Sequence, residues 1–480
     1  MGIKSHSPLE LEASSVEDQH LVRSAFGWAM YDVGRFPIMT LVIIFVFVPY
    51  FATSIAPNPV AGQALTAQFS MIAGLIAAPT APLLGAVIDR LGPCKPWLVP
   101  CIAVLILSTS LLWFVQPGPN GLPIIIVMGM LTIISLFLTY FEVLGNSMLA
   151  ALPHGRIRTK TSGFAIAAGS FLSLILMLWL LWGFLLPGTS KASWLPAHPL
   201  FNLQKESFQN VRVVSLVAAA SLLITAVPFI LLSKDRRSSG LSISKALKGG
   251  IYDIFDIIKN LRKRRDPAIY ILARTIFQDA STAVMQLIGV YVAGTMGWHA
   301  SEMTIYGIIC VVMGVLGGLL ASRLDSILGP KRALQLFVFI PAFCLFCELG
   351  TNRTEILYLW TFHSGHVPML WSHGIFKTLP EFVFLVFGGI SSAAQVATLS
   401  STRTLLISLL RKEEVATWFG LAALTGASTA WIGPMFVGLF TLVFSSQQLG
   451  FTPLILMLII GGIILGFIHG GGPEIKKFVE

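Results

Sequence analysis

The stretch YDVGRFPIM carries an acid and a base, Asp32 and Arg35, at the start of a long apolar run. The i, i+3 spacing puts both on one face of a helix, where they can pair or point together into a hydrated cavity. Ionisable residues inside a membrane are costly unless paired or hydrated, so they indicate a functional site. Gly34 and Pro37 would loosen the helix and expose backbone groups that can line such a site. A static ion pair that fixes this helix to its neighbours is the alternative.

A second apolar stretch carries Arg274, Gln278 and Asp279. Arg274 and Gln278 share a helical face, whereas Asp279 is turned away from Arg274 by about 140°. Each charge therefore needs a partner outside this helix, unless the long side chain of Arg274 reaches the membrane surface. In a later stretch, Gln395 suits an interhelical hydrogen bond as well as a ligand contact.

Glu142 and Asn146, one helical turn apart, form a third polar face. Burial disfavours an ionised carboxylate, so Asp32, Glu142 and Asp279 are the candidates for carrying a proton. Glu142 is equally suited to neutralising Arg35 permanently. The candidate residues for substrate binding, ion binding or coupling are therefore Tyr31, Asp32, Arg35, Glu142, Asn146, Arg274, Gln278, Asp279 and Gln395.

The composition indicates that membrane helices position these residues. Of the 480 residues, 55% are hydrophobic and only 11% are charged, against about 25% charged residues in soluble domains. A membrane helix needs about 20 apolar residues, and twelve segments meet that length. They are 25–52, 63–88, 97–115, 122–150, 161–186, 211–232, 267–294, 303–322, 332–350, 379–403, 413–443 and 450–469.

Lysine and arginine orient the predicted bundle. If both termini are cytoplasmic, 25 of the 32 lysines and arginines fall in cytoplasmic segments, five in external segments, and Arg35 and Arg274 within the spans. This asymmetry follows the positive-inside rule. The net charge of +10 therefore reports topology and gives no reason to expect a nucleic acid partner. We expect an integral protein of the plasma (inner) membrane with both termini in the cytoplasm.

The chain repeats itself after six spans. GAVIDRLGPCKPWL (85–98) resembles GGLLASRLDSILGPKRAL (317–334), and SGFAIAAGSF (162–171) resembles FGLAALTGAS (419–428). Such repeats indicate two six-helix halves of parallel topology. The predicted segments are an N-terminal tail 1–24, a first bundle 25–232, a cytoplasmic linker 233–266, a second bundle 267–470 and a C-terminal tail 471–480.

The linker contains a predicted amphipathic helix followed by the basic cluster RKRR (262–265). An apolar stripe with a basic end is typical of a helix at the membrane surface, serving as a topological anchor or as a regulatory lipid site. The stripe consists of Ile243, Leu247, Ile251, Ile254, Ile258 and Leu261.

Twelve spans, duplicated halves and the loop after span 2 resemble the major facilitator superfamily. Within it, the chain is most similar to the "unknown major facilitator" family, which includes vacuolar amino-acid effluxers linked to autophagy. YDVGRFPIM in span 1, the 85–98 loop, TSGFAIAAGS in span 5 and ILARTIFQDASTAV in span 7 carry this similarity. Arg35 departs from the family pattern, which has small or polar residues after the Tyr-Asp pair. The sodium–sugar symporter family, with a similar Gly…Asp…Lys-Pro-Trp loop, is the nearest rival.

The resemblance implies a conformational latch between the halves on the cytoplasmic side. In it, the loop acid faces a helix N-terminus and basic partners. A carboxylate is favoured at a helix N-terminus, and such a contact can break and reform. The latch residues are Gly85, Asp89, Arg90, Gly92 and Lys95, with Asp325, Lys331 and Arg332 in the second repeat.

Together these features predict an all-α membrane protein with twelve transmembrane helices in two pseudo-symmetric six-helix bundles. We expect a monomeric secondary active transporter working by alternating access, coupled to H⁺ or Na⁺. The resemblance implies a small polar substrate such as an amino acid. The sequence lacks a G-x-x-x-x-G-K-[ST] nucleotide-binding motif, and we expect no enzyme activity, cofactor or metal. The alternatives are a sugar–cation symporter of the same fold and a non-transporting sensor or assembly factor.

Overall fold

The computed structural model describes residues 8–150, 155–188, 193, 195–261, 264–363, 366–372, 374–410 and 415–469. In this part of the chain, twelve helical spans are long and apolar enough to cross a membrane, as predicted. Spans 1 to 6 are Val22–Ile55, Pro59–Leu91, Lys95–Phe114, Ile124–Leu149, Thr161–Leu185 and Gln209–Leu232. Spans 7 to 12 are Arg265–Thr295, Ala300–Leu328, Pro330–Leu349, Leu379–Ser408, Trp418–Phe444 and Gln447–Gly466.

Shorter elements lie between the spans. A 3-10 turn, Leu200–Asn202, precedes span 6, and a linker helix, Ile243–Leu261, lies between spans 6 and 7. An antiparallel pair of short strands, β1 (Glu355–Ile356) and β2 (Trp360–Thr361), precedes span 10. The helix of span 1 starts at Pro8, so the described part of the predicted tail 1–24 is helical. The predicted tail 471–480 lies outside the described residues.

Span 1 changes helical type near its middle. Its α-helix ends at Pro37, and π-helices cover Ile38–Phe45 and Phe51–Ile55. Proline lacks an amide hydrogen and interrupts the regular hydrogen-bond ladder, so an irregular turn follows it. The predicted loosening of this helix is confirmed at Pro37.

The twelve spans form two bundles of six. Span 1 packs on spans 5 and 6 and span 2 on span 4, while span 7 packs on span 12 and span 10 on spans 8 and 9. Small residues permit the closest approaches. Gly34 of span 1, for example, lies directly against Leu222 and Thr225 of span 6, where a Cβ would overlap both.

A group of hydrogen bonds joins the two halves on one side of the membrane. We call the face that carries the linker helix the linker side and the opposite face the distal side. On the distal side, the Gln63 amide donates to Thr441 Oγ1 at 2.8 Å and to the Gln447 carbonyl at 3.0 Å. The Gln447 amide donates back to Gln63 Oε1 at 3.2 Å. We call this group of three residues, which joins spans 2, 11 and 12, the distal clasp.

The linker helix docks on span 2 through its small residues. Gly249 lies against the Arg90 guanidinium and Gly250 against Ala86, and a Cβ at Gly249 would overlap the Arg90 side chain. Ile243 and Leu247 of the predicted apolar stripe are 61% and 38% exposed. The helix prediction is therefore confirmed, while the described apolar stripe faces away from the protein.

Candidate transport site

Arg35 is the centre of a charged cluster near the middle of span 1. Its Nη1 donates to Glu142 Oε2 of span 4 at 2.8 Å. Its Nε lies 3.1 Å from Asp32 Oδ1, without hydrogen-bond alignment. The side chains of Asp32 and Arg35 are 14% and 20% exposed, whereas that of Glu142 is 57% exposed. The predicted pairing on one helical face therefore forms, and it is hydrated from the Glu142 side.

The second half brings two further cations towards this cluster. Arg274 of span 7 acts electrostatically on Glu142, and Arg403 of span 10 acts on Asp32 and on Arg274. Glu142 lies towards the linker side of span 4 and is exposed, as is Asn146 one turn later. From these placements we infer a cleft between the halves that opens to the linker side and contains both carboxylates and guanidinium groups.

Tyr31 lies one helical turn before Arg35 and is buried, with only 2% of it exposed. Its ring stacks on Phe141 with the centroids 3.8 Å apart, and its hydroxyl donates to the Phe141 carbonyl. Gly145 leaves room for the ring, since a Cβ there would overlap it. Tyr31 therefore positions span 1 against span 4, and its hydroxyl is already engaged.

Arg274 and Asp279 of span 7 bind separate backbone groups of span 11, as their helical spacing predicts. Arg274 Nη1 donates to the Ala422 carbonyl at 2.6 Å. Asp279 Oδ2 accepts the Gly433 amide hydrogen at 2.9 Å, and its Oδ1 has no hydrogen-bond partner among the described residues. Gln278 is half-buried, and within the same set of residues its Oε1 is also unpaired.

Span 11 is broken into two helices, Val415–Thr429 and Ile432–Phe444, where a single helix is predicted. Gly433 lies in the first turn of the second helix, so its amide has no partner within that helix. The Asp279 carboxylate supplies the partner and sits at the positive end of the helix dipole. Asp279 thus caps the break, which is a structural role beside the coupling role predicted from its burial.

Gln395 of span 10 is 8% exposed, and its amide donates to Ser391 Oγ, one turn earlier, at 3.3 Å. Its Oε1 has no partner within the described part of the chain. The Gln395 amide therefore donates within its own helix and forms no hydrogen bond to another described helix.

Asp89, near the end of span 2, contacts span 4 and the linker. Asp89 Oδ1 accepts hydrogen bonds from Ser147 Oγ at 2.5 Å and from Arg236 Nη1 at 3.0 Å. Gly85, one turn earlier, lies against Val143 of span 4. These partners belong to the first half and its connector. Among the described residues, the latch predicted between the halves is therefore not formed by Asp89 in this conformation.

The start of span 3 is capped by the same connector. Gly92 ends span 2 with a φ of +100°, a conformation that disfavours side chains. Asp235 accepts the amide hydrogens of Cys94 at 2.8 Å and Lys95 at 2.9 Å. Lys95 Nζ donates to the Ile230 carbonyl near the end of span 6 at 2.8 Å. Burial here raises the pKa of the Cys94 thiol to about 11.

The second repeat reproduces the core of this arrangement. Asp325 Oδ1 accepts a hydrogen bond from Ser401 Oγ at 2.7 Å, as Asp89 does from span 4. Lys331 Nζ donates to the Gly466 and Ile468 carbonyls at 2.8 and 2.6 Å, at the end of span 12. The predicted sequence repeat is therefore a repeat of contacts.

Several residues were not identified from the sequence in their observed roles. Arg403 is predicted at the end of span 10, but the helix continues to Ser408, which carries Arg403 within reach of the cluster. The distal clasp has one signal in the sequence, the polar Gln63 in an apolar run. Arg236 belongs to the basic linker, and nothing in the sequence pairs it with Asp89. Arg332, predicted in the latch, is exposed.

The fold resembles those of solved membrane transporters. The crystal structure of a D-xylose–proton symporter covers 93% of this chain and 97% of its own, with a TM-score of 0.59 and 14% identity. The nucleoside transporter NupG covers 94% and 100%, with a TM-score of 0.60 and 11% identity. The xylose transporter XylE from E. coli, partially occluded and inward open, covers 94% and 98%, with a TM-score of 0.59 and 14% identity. No curated protein sequence matches the chain.

These likenesses show the fold: the twelve membrane-spanning helices have the arrangement of the major facilitator fold. The family is narrower. Residues 151–470 match the family described as "Vacuole effluxer Atg22 like", and the chain belongs to that family. The resemblance predicted from the sequence is thereby confirmed.

Proposed function

We propose that this protein carries a small zwitterionic solute, of the amino-acid class, across the membrane by alternating access. The observation that supports this most directly is Arg35, held between Asp32 and Glu142 in a cleft that Arg274 and Arg403 approach from the other half. Carboxylate and guanidinium groups lie side by side there, at membrane depth.

The charge pattern matches a solute with both an ammonium and a carboxylate group. The carboxylate would bind a guanidinium, which recognises it with paired hydrogen bonds. The ammonium would bind Asp32 or Glu142. The cluster offers both kinds of partner, with the carboxylates of Asp32 and Glu142 beside the guanidinium groups of Arg35, Arg274 and Arg403. A zwitterion can therefore pair both of its charged groups there without adding net charge to a low-dielectric site.

Coupling to a proton fits the same cluster. A proton taken up by the cluster would weaken the hold of its carboxylates on Arg35, so the guanidinium would be free to bind the solute carboxylate. We assign coupling to Asp32 and Glu142. Asp279, which caps the second helix of span 11, is the second candidate for proton coupling.

A sugar–cation symporter is the second candidate, and uncharged amides near the cleft favour it. Asn146 is exposed, and Gln278 has an unpaired Oε1 among the described residues. Sugar hydroxyls bind such amides well. The charged cluster then serves only the cation.

The distribution of charge and the family description suggest which face is cytoplasmic and which membrane holds the protein. We propose that the linker side faces the cytoplasm, because lysine and arginine concentrate there. The family description is of a vacuolar effluxer, so a vacuole-type membrane replaces the plasma membrane as our proposed location in a host that has vacuoles.

Solute counterflow in vesicles containing the purified protein tests the proposal. Vesicles are loaded with an unlabelled amino acid, D-xylose or a nucleoside, and entry of the labelled solute is measured. We expect counterflow with amino acids and a loss of about tenfold or more in Arg35→Gln. Arg323→Gln, at an exposed position near the linker end of span 8, is the matched control and should retain counterflow. Counterflow of xylose alone would establish the second candidate, and none with any solute would contradict both.

A further inference from the structure

Glu348, near the distal end of span 9, is a buried carboxyl group outside the charged cluster. It is 1% exposed, and neither of its oxygens has a hydrogen-bond partner among the described residues. A carboxylate buried without a partner is strongly disfavoured, so such a group is held with a proton. Few static roles need this group, because an apolar side chain of the same size would fill the space at lower cost.

The described surroundings of Glu348 contain titratable groups, and none of the described cations acts on it. Tyr291 of span 7 donates to the Glu348 backbone carbonyl at 3.4 Å. Tyr306 and Cys310 of span 8, and Cys344 and Cys347 on its own helix, lie within its electrostatic range. Spans 10 and 12 also pack on span 9. Their described residues include no charged group that acts on the Glu348 carboxyl.

A cluster of aromatic side chains lies at the distal ends of spans 8 and 10, and one of its rings contacts the other half. Tyr306 packs tilted against Trp298 and edge-on against Phe384, at centroid distances of 5.6 and 6.1 Å. Phe45 of span 1 meets the Tyr306 ring at 5.9 Å. Gly307, beside Tyr306, is also packed against Phe45. Tyr306 is therefore clamped by the first half only while the halves touch on the distal side.

We propose that Glu348 is a proton-binding site of the second half and that the contact between Phe45 and Tyr306 gates its access to the distal compartment. Opening of the halves on the distal side breaks this contact, frees Tyr306 and lets the carboxyl exchange its proton there. Closure traps the proton again. The proposal rests on the proposed transport cycle, and it assigns distal proton exchange to a group separate from Asp32 and Glu142.

Carbodiimide labelling tests the proton directly, because dicyclohexylcarbodiimide reacts with protonated carboxyls in apolar surroundings. In full-length protein in vesicles, we expect a mass-spectrometric adduct on Glu348. The adduct should form faster in Phe45→Ala, whose gate lacks the clamping ring. Glu355 in the distal loop, which accepts a hydrogen bond from Asn352 at 3.0 Å, is the internal control and should stay unlabelled. Absence of a Glu348 adduct in both proteins would overturn the proposal.

Transport measurements test the gating. The wild type should respond to distal pH by up to about tenfold per pH unit, the limit for one coupled proton. Glu348→Gln keeps the size of the side chain and removes the titrating group, so counterflow should persist while the response to distal pH is lost. Glu355→Gln should behave as the wild type. A full pH response in Glu348→Gln would refute the gating role. Absence of any solute flux in the wild type would instead refute the proposed function, and the labelling result would still stand or fall by itself.

Discussion

The two halves repeat the same helices but satisfy their charges in different ways. In the first half, Arg35 is paired with two carboxylates, Asp32 and Glu142. In the second half, Arg274 and Asp279 at similar depth each bind a backbone group of span 11. A side-chain pair can be exchanged for a ligand, whereas a bond to the backbone holds a helix in place. We infer that the charged groups of span 1 bind the solute, whereas those of span 7 hold span 11 in its broken conformation.

The difference continues at the linker edge. Asp89 and Asp325 each accept a hydrogen bond from a serine, but only Asp89 also has a described arginine partner, Arg236. The extra charges of the first repeat come from the connector after span 6. A connector that follows one half can stabilise that half without any change in the repeated spans.

The largest expected effect separates Arg35 from Arg274. Arg35→Gln leaves two carboxylates without their cation and should lower counterflow by about tenfold or more. Arg274→Gln loses a bond to a neutral carbonyl, and its effect should be about threefold. Counterflow of the two variants in matched vesicles measures the ratio. Equal losses of counterflow in Arg35→Gln and Arg274→Gln would contradict the comparison.

A second measurement uses stability. Adding Glu142→Gln to Arg35→Gln removes a carboxylate that has lost its cation, so the double variant should recover part of the melting temperature lost in Arg35→Gln.

The next effect separates Asp32 from Asp279. Asp32→Asn removes a charge from the coupling cluster and should abolish transport driven by a proton gradient while leaving counterflow measurable. Asp279→Asn keeps an oxygen that can accept the Gly433 amide hydrogen, so both activities should survive. Asp279→Ala should destabilise the protein by about 1 kcal/mol, as for other lost helix caps. Loss of gradient-driven transport in Asp279→Asn would instead show that Asp279 carries the proton.

A smaller effect concerns the connector. Asp235→Ala removes the cap of span 3 and should loosen the linker from Cys94. Because burial raises the pKa of Cys94 to about 11, alkylation of this thiol at pH 8 should be slow in the wild type and should accelerate as pH rises. In Asp235→Ala the pKa should fall towards its ordinary value and the rate at pH 8 should rise by about tenfold or more. Peptide mass spectrometry locates the alkylated thiol, and an unchanged rate would count against the cap.

The smallest effect is expected for a contact that both halves make, between a lysine and the carbonyl end of a helix. Lys95→Met and Lys331→Met each remove a cation that binds the carbonyl end of a helix, and each should cost about 0.5–1 kcal/mol of stability. The loss should be slightly larger for Lys331, which binds two carbonyls. Thermal unfolding of the two variants in one detergent compares them, and a loss limited to one variant would show that the repeat is not equivalent here.

Much of the fold follows from the sequence, because hydropathy and loop charge report span length and topology directly. The pairing of Asp32 with Arg35 also follows, since helical geometry fixes an i, i+3 contact. The break in span 11 does not follow, because its apolar sequence continues through Thr429 to Ile432 and the partner that permits the break is Asp279. The contact of Arg236 with Asp89 joins residues far apart in the chain, which no local pattern encodes.

The docking of the linker helix has a consequence for where the chain can be divided. This helix lies against span 2 through Gly249 and Gly250, and Asp235 and Arg236 precede it on the same half. Two separately expressed fragments, cut between Leu261 and Arg264, would keep all of these contacts within the first fragment. A cut before Lys234 would place the linker in the second fragment, so these contacts would have to form between the two fragments. The natural seam of the molecule therefore lies at the end of its connector and not at the end of its sixth span.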